Sequence, residues 1–302
     1  MIQLSCLGEP LIELCPTQTD SYCLGVAGDV LNTAAALSSL GIKCQLVTAL
    51  SNSELSDRIC QFAQSYGIST AGIPRLEGKQ PGLYMISNDE AGERYFSYWR
   101  DNSPAKIVFS DPVKLQSLID SITTPWLYLS GISLALFSDE SAAIFFSWCE
   151  AYVGHGNKII YDNNYRPLLW QSRTQAQQRN EIMLKYCELF LPSLEDQAAL
   201  LDISDTQALL ELKQLKINEI VIKQGINPLV VVDHGVVSEF PVTSVDAIDT
   251  TGAGDGFNGG YLAARLQNKP IAEAAQLAML LSTLTVQQKG AILPPEKINH
   301  LF

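Results

Sequence analysis

The 302-residue chain has no C-x-x-C pair, no long basic run and no apolar stretch approaching ~20 residues. Each gap excludes a class of function. Its seven cysteines, Cys6, Cys15, Cys23, Cys44, Cys60, Cys149 and Cys187, are odd in number and never at zinc or redox spacing. They are expected to be reduced, mostly buried thiols of a cytoplasmic protein. Without a long apolar run, no membrane span is expected. The opening "MIQLSCLGEPLIELC" has no charged segment before an unbroken apolar core, so it does not read as a signal peptide. Asp and Glu number 32 against 20 Lys and Arg, a net charge of −12, which disfavours nucleic acid and anionic membrane as partners. A small anion is not excluded, because a few arginines and helix ends can reverse the sign in one cleft. His155, His234 and His300 are the only histidines, all in loop or terminal contexts. A Ser-His-Asp hydrolase is disfavoured on that ground.

What remains is an ordinary globular composition, 47% hydrophobic and 17% charged. Short apolar runs at 44–50, 126–130, 158–162, 189–192 and 219–225 read as buried strands. They alternate with helical patterns near 29–40, 53–66, 139–153, 174–186 and 205–215, one carrying a capping-box spacing at Ser51 and Glu54. Two further helices are expected at about 254–267 and 270–288. The alternation implies an α/β fold with a mostly parallel sheet covered on both faces. Residues 9–24 and 73–100 break the rhythm and read as antiparallel strands of a small projecting lid, turning at Asn88–Gly92. A hairpin over 229–240 turns at Asp233-His234-Gly235. One domain over 1–302 is expected, with the lid as a discontinuous subdomain.

The densest motif is "DTTGAGDGFNGGYLAARL", residues 249–266. Gly254, Gly256 and Gly259 satisfy G-x-G-x-x-G, but no strand follows to complete a βαβ unit, so the dinucleotide fingerprint is a weak match. No lysine is present to make a Walker A loop. Small residues before a helix do let the N–H groups of Gly252, Ala253 and Gly254 converge on one oxygen cluster, aided by the helix dipole. Asp255 then sits where a carboxylate could take the proton of an attacking hydroxyl. The helix end should favour its ionised form. The bland alternative is an acidic first-turn residue that complements the dipole.

"DTTGAGD" closely resembles the C-terminal signature of ribokinase-like (PfkB) carbohydrate kinases, and the resemblance covers nearly the whole chain. It implies a ribokinase-like three-layer sandwich with a lid. It also implies ATP and Mg²⁺ as cofactors, an anion hole at Gly252, Ala253 and Gly254, and Asp255 as catalytic base. Asp249 resembles a residue near the family's monovalent-cation site, which would take an ion such as K⁺.

"GVAGDVLNTAAALSSLG" (25–41) resembles the family's sugar-binding segment, with Ala27 in place of the first glycine of its pair. Gly28, Asp29 and Asn32 remain as substrate candidates, against an Asp cap and a polar first turn as the plain alternative. Period-two alternation places Tyr98 and Arg100 on one face of a lid strand, and Arg166 follows a strand's C-terminal end. Guanidinium groups match a carboxylate, so they favour a sugar acid over a neutral hexose. These segments resemble the 2-keto-3-deoxygluconate kinase branch, in which counterparts of Tyr98, Arg100, Arg166 and a tyrosine like Tyr84 line the substrate site. "PSLEDQ" (192–197) resembles the N-x-x-E segment that organises Mg²⁺, with Glu195 as the carboxylate and Pro192 in the asparagine's place. "IKQGINP" (222–228) and "KGAIL" (289–293) resemble nucleotide segments, giving Lys223, Gly225, Gly290 and Ala291 as ATP candidates.

The resemblance implies ATP-dependent phosphorylation of 2-keto-3-deoxygluconate to 2-keto-3-deoxy-6-phosphogluconate, and a homo-oligomer formed through the lid edges is expected. A neutral-sugar or nucleoside kinase and a non-catalytic sugar sensor stay open as alternatives.

Overall fold

The computed structural model describes residues 1–18, 21–88, 94–298 and 301. In chain order the first half contains β1 (Leu4–Leu7), β2 (Leu11–Gln18), β3 (Ser21–Ala27), α1 (Asp29–Ser39), β4 (Cys44–Val47), β5 (Leu50–Ser51), α2 (Glu54–Ser65), β6 (Arg75–Leu76), β7 (Leu83–Asn88) and β8 (Arg94–Trp99). Then follow α3 (Pro104–Ser110), α4 (Pro112–Asp120), β9 (Trp126–Ser130), α5 (Gly131–Ala135), α6 (Asp139–Gly154), β10 (Lys158–Asp162), α7 (Arg173–Leu184) and β11 (Cys187–Phe190). The chain closes with α8 (Leu194–Leu201), α9 (Asp205–Gln214), β12 (Glu219–Ile222), β13 (Leu229–Asp233), β14 (Val236–Phe240), α10 (Ala253–Leu266) and α11 (Ile271–Val286).

Eight strands form the main sheet in the order β14-β13-β12-β11-β10-β9-β1-β4. From β4 to β12 every pairing is parallel, and the β13–β14 hairpin extends the sheet antiparallel. Its turn has positive φ at both His234 and Gly235, matching the right-handed twist of the flanking strands. The strands are near-continuous apolar runs because both faces are covered. One apolar layer is built with α1, α2, α10 and α11, the other with α3, α4, α6, α7 and α9. Glu219 is a buried exception in β12. It is satisfied by Tyr261 (2.6 Å) and a forked pairing with Arg265, which pins α10 to the sheet.

β1 leads to β4 on one side, and the chain later proceeds through β9 and β10 on the other. The order therefore reverses between β1 and β9, and the strand ends there open a crevice. A second sheet, β3-β2-β7-β8, stands over this end. Its outer pairings are antiparallel as expected, but β2 and β7 run parallel because β7 returns by a long crossover. β6 does not join this sheet and pairs with β5 instead, so the lid's second part begins at β7. Of the expected turn, 89–92 lie outside the described residues, as does His300.

α2 is capped by Ser53, whose hydroxyl accepts from Ser56 N. Ser51 lies in β5, with its hydroxyl bonded to those of Ser53 and Ser56, so the Ser51–Glu54 capping box does not form. All seven cysteines are free, four of them buried. Among the described residues no helix is long and apolar enough to cross a membrane.

Candidate active site

Gly252 opens α10 in the left-handed region (φ 75°), and no side chain caps this helix. A Cβ at Gly252 would fall 2.5 Å from Ala291 O, so the segment around Gly290 packs directly on the helix start. Asp249 fastens the two pieces: one carboxylate oxygen accepts from Thr251 N and the other from Gly290 N, both at 2.9 Å. The first-turn amides of Gly252, Ala253 and Gly254 are thus presented by a locked turn. Ala253 N also makes a long bond to Thr250 O (3.3 Å).

Asp255 lies in that first turn. Asn32 Nδ2 donates to its Oδ2 at 2.7 Å, reaching across from α1. The helices can approach so closely because Gly259 carries no side chain; a Cβ there would meet Ala36 and lie 3.2 Å from Thr33 O. Burial, then the neighbouring Asp29 charge, push the Asp255 carboxyl up to about 7; Asp162 adds to this, while Asn32 and Lys223 oppose it. The helix end therefore does not hold Asp255 ionised, as the sequence led us to expect. A pKa near neutrality still suits a base, because efficiency peaks when the pKa lies near the working pH.

α1 also opens at a glycine. Gly28 has φ 130°, and a Cβ would fall 2.7 Å from Glu9 O, so only glycine fits beneath the lid crossing. Asp29 accepts from Ser130 Oγ and from Asn164 Nδ2 (3.3 Å), and burial raises its pKa. Asn32 is only 7% exposed and its Oδ1 has no protein partner, an acceptor set beside the base.

Lys223 leaves the end of β12. Its ammonium contacts Asp162 Oδ2 (2.8 Å) and Asn258 Oδ1 (3.1 Å), and a Cβ on Gly254 would be 3.9 Å away. Gly225, with φ 58°, forms the exposed turn just beyond.

The lid side is arranged differently from the expectation. Arg100 lies one residue past β8, buried, with Nε on Glu9 Oε2 at 2.8 Å and Nη2 on the same carboxylate. Ser103 donates to the other Glu9 oxygen. Tyr98 remains on the strand and is half-exposed. Arg100 lies beyond the strand's end and is held by Glu9, so strand alternation does not set its direction. Tyr84 is buried, donates to Glu13, and packs 5.8 Å from the Tyr98 ring. Burial pushes the Tyr98 hydroxyl up while Arg100 and Arg166 oppose it, and burial followed by Glu13 raises that of Tyr84. Arg166 Nη1 donates to Asp196 Oδ1 and to Tyr165 O, both at 2.8 Å. Glu195 is exposed in the first turn of α8. Among the described residues no three His, Cys, Asp or Glu side chains gather as a metal cage. Glu195 and Asp249 are not brought together in that way.

Sequence reading missed Glu9, Glu13, Asp162, Asn258 and Tyr128. Asp162 had a signal, since it ends a strand at the open edge of an α/β sheet.

The chain matches the pfkB family of carbohydrate kinases over residues 1–298. It is 34% identical to a 2-dehydro-3-deoxygluconokinase of Dickeya dadantii, covering 97% of each chain. The solved 2-dehydro-3-deoxygluconokinase of Thermotoga maritima shares the fold with a TM-score of 0.83 at 22% identity, over 100% of this chain and 99% of that one. An E. coli structure solved with ATP and Mg²⁺ superposes with a TM-score of 0.81 at 18% identity, over 99% and 98% of the two chains. The fold is ribokinase-like, and the chain belongs to the pfkB family of carbohydrate kinases.

Proposed function

We propose that the protein phosphorylates 2-keto-3-deoxygluconate with ATP, giving 2-keto-3-deoxy-6-phosphogluconate, with Asp255 as general base. The observation that carries this reading is the Asp255 carboxylate, pushed up to about 7, held by Asn32 and set in the first turn of an uncapped helix. Asp255 takes the proton of the sugar's terminal hydroxyl as that oxygen attacks. The amides of Gly252, Ala253 and Gly254 meet the charge that shifts along the phosphates. Gly28, Asp29 and the Asn32 acceptor hold sugar hydroxyls, while Tyr84 and Tyr98 close the lid side. Arg100 and Arg166 bind the carboxylate. Lys223, Gly225, Gly290 and Ala291 line the nucleotide side.

Mg²⁺ keeps most of its shell as water and phosphate oxygens and asks for only one or two protein carboxylates. The exposed Glu195 fits that demand, and the metal would neutralise phosphate charge there. Asp249 has both oxygens on backbone N–H groups and serves here as the clasp of the anion hole. A monovalent ion such as K⁺ beside it would also help to fix that turn. The exposed aromatics Tyr22, Tyr95, Phe96, Tyr98 and Trp99 support association of two copies through their lids. Sedimentation at equilibrium showing only monomer would remove that part.

One observation favours a second reading. Both arginines already hold protein carboxylates, Arg100 with Glu9 and Arg166 with Asp196, which also suits a neutral acceptor such as fructose or a nucleoside. An ADP-release screen across sugar acids and neutral sugars decides between them. The sugar-acid reading expects 2-keto-3-deoxygluconate to exceed fructose and nucleosides in kcat/KM; a neutral sugar in first place overturns it.

A further inference from the structure

The Asp162–Lys223 ion pair is buried at the strand ends, and the proposed reaction gives its aspartate no role. Asp162 is 3% exposed. Its Oδ2 accepts from Lys223 Nζ (2.8 Å) and from Asn258 Nδ2 (2.6 Å), and Asn258 Oδ1 accepts from Lys223 Nζ (3.1 Å). The three side chains close a triangle that joins β10, the end of β12 and α10. Asn258 Nδ2 also donates to Tyr128 OH (3.2 Å), which lies 3.3 Å from Thr33 Oγ1. Thr33 Oγ1 in turn donates to Asp255 O (3.4 Å). The orientation is consistent along the chain: Tyr128 accepts from Asn258, so its own hydrogen goes to Thr33, and that of Thr33 goes to the Asp255 carbonyl.

Buried ion pairs add little to stability over well-packed apolar residues, so one retained at a strand end calls for another reason. Two of the three ammonium hydrogens of Lys223 go to Asp162 and Asn258. Tetrahedral geometry turns the third away from both, and the neighbouring wall is the anion-hole residue Gly254. We propose that Asp162 is a positioning residue that, with Asn258, holds the Lys223 ammonium beneath the anion hole to meet the terminal phosphate of the nucleotide. This rests on the kinase reading above. It adds Asp162 and Asn258, which act through Lys223 and touch neither substrate.

The test uses the full-length protein, with MgADP and a non-hydrolysable MgATP analogue as probes in titration calorimetry. Asp162→Asn should weaken the analogue about tenfold while ADP changes by less than about twofold, since a single charge-assisted contact to the terminal phosphate is disturbed. Steady-state kcat should fall about tenfold or more with the sugar KM unchanged. Lys223→Met should show the same split, and the double variant should be no worse than Lys223→Met alone, because the aspartate works through the lysine. Equal weakening of ADP and analogue, or losses that multiply in the double variant, would overturn the proposal. Should Asp162→Asn fail to fold, Asn258→Ala and its combination with Lys223→Met make the same comparison, and multiplying losses there overturn it equally. A wild-type protein that binds the analogue yet turns over no sugar would instead defeat the kinase reading, leaving the binding comparison intact.

Discussion

The N-termini of the helices fall into two groups. Eight helices, α2 to α9, begin with a serine or aspartate whose side chain accepts a hydrogen bond from the first turn. α1 and α10 begin instead at Gly28 and Gly252, both with positive φ and neither capped by a side chain. The glycine-led pair carries Asp29, Asn32 and Asp255, the groups of the candidate site. A cap neutralises the positive end of a helix internally; leaving it open keeps that potential for a ligand. α11, opening at Pro270, is also uncapped, so an open end alone does not make a site.

This contrast can be broken experimentally. Asp255→Asn should have the largest effect, lowering kcat by ~10²–10⁴-fold while nucleotide affinity survives. Burial and Asp29 raise the folded-state pKa, so the wild-type carboxyl gives stability at low pH that is lost as pH rises through about 7. The Asn variant should therefore melt no lower than wild type at pH 8; retention of more than about a tenth of wild-type kcat would count against the base role.

Gly252→Ala should come next. It forces a Cβ into the left-handed region and against Ala291 O, costing ~2 kcal/mol or more in denaturant unfolding, with loss of turnover. Arg166→Ala should raise the sugar-acid KM by about tenfold and leave the ATP KM nearly unchanged, as expected for one charge-assisted contact. Equal changes in both would undo that assignment. Below pH 7 the wild-type rate should fall ~10-fold per unit as Asp255 protonates, and a flat profile down to pH 5 would refute the base. The smallest effect belongs to a capped helix: Ser204→Ala, which deletes the bond from Gln207 N, should cost ~1 kcal/mol and leave kcat alone.

Much of this architecture was legible because periodic apolar runs report burial directly. β10 begins and ends at the expected residues 158 and 162, and α10 and α11 lie within a residue or two of theirs. α3 and α4 went unread because Pro104 and Pro112 look like breakers, although each sits at a first helical position. α5 is a single short turn that serves as a connection, and α8 was read only as a motif. In the site, Asp255 and its glycines were visible because they are consecutive. Glu9 and Arg100, 91 residues apart, and Asp162 and Asn258, 96 apart, meet only through the sheet topology. Local pattern carries no record of such partners. The Asp255 pKa was misjudged for the same reason: its strongest neighbour, Asp29, comes from another helix.

The bare backbone of Gly259 against α1 has a mechanical corollary. With no side chain to compress, the crossing has no slack, and the two positive helix ends travel as one rigid jaw.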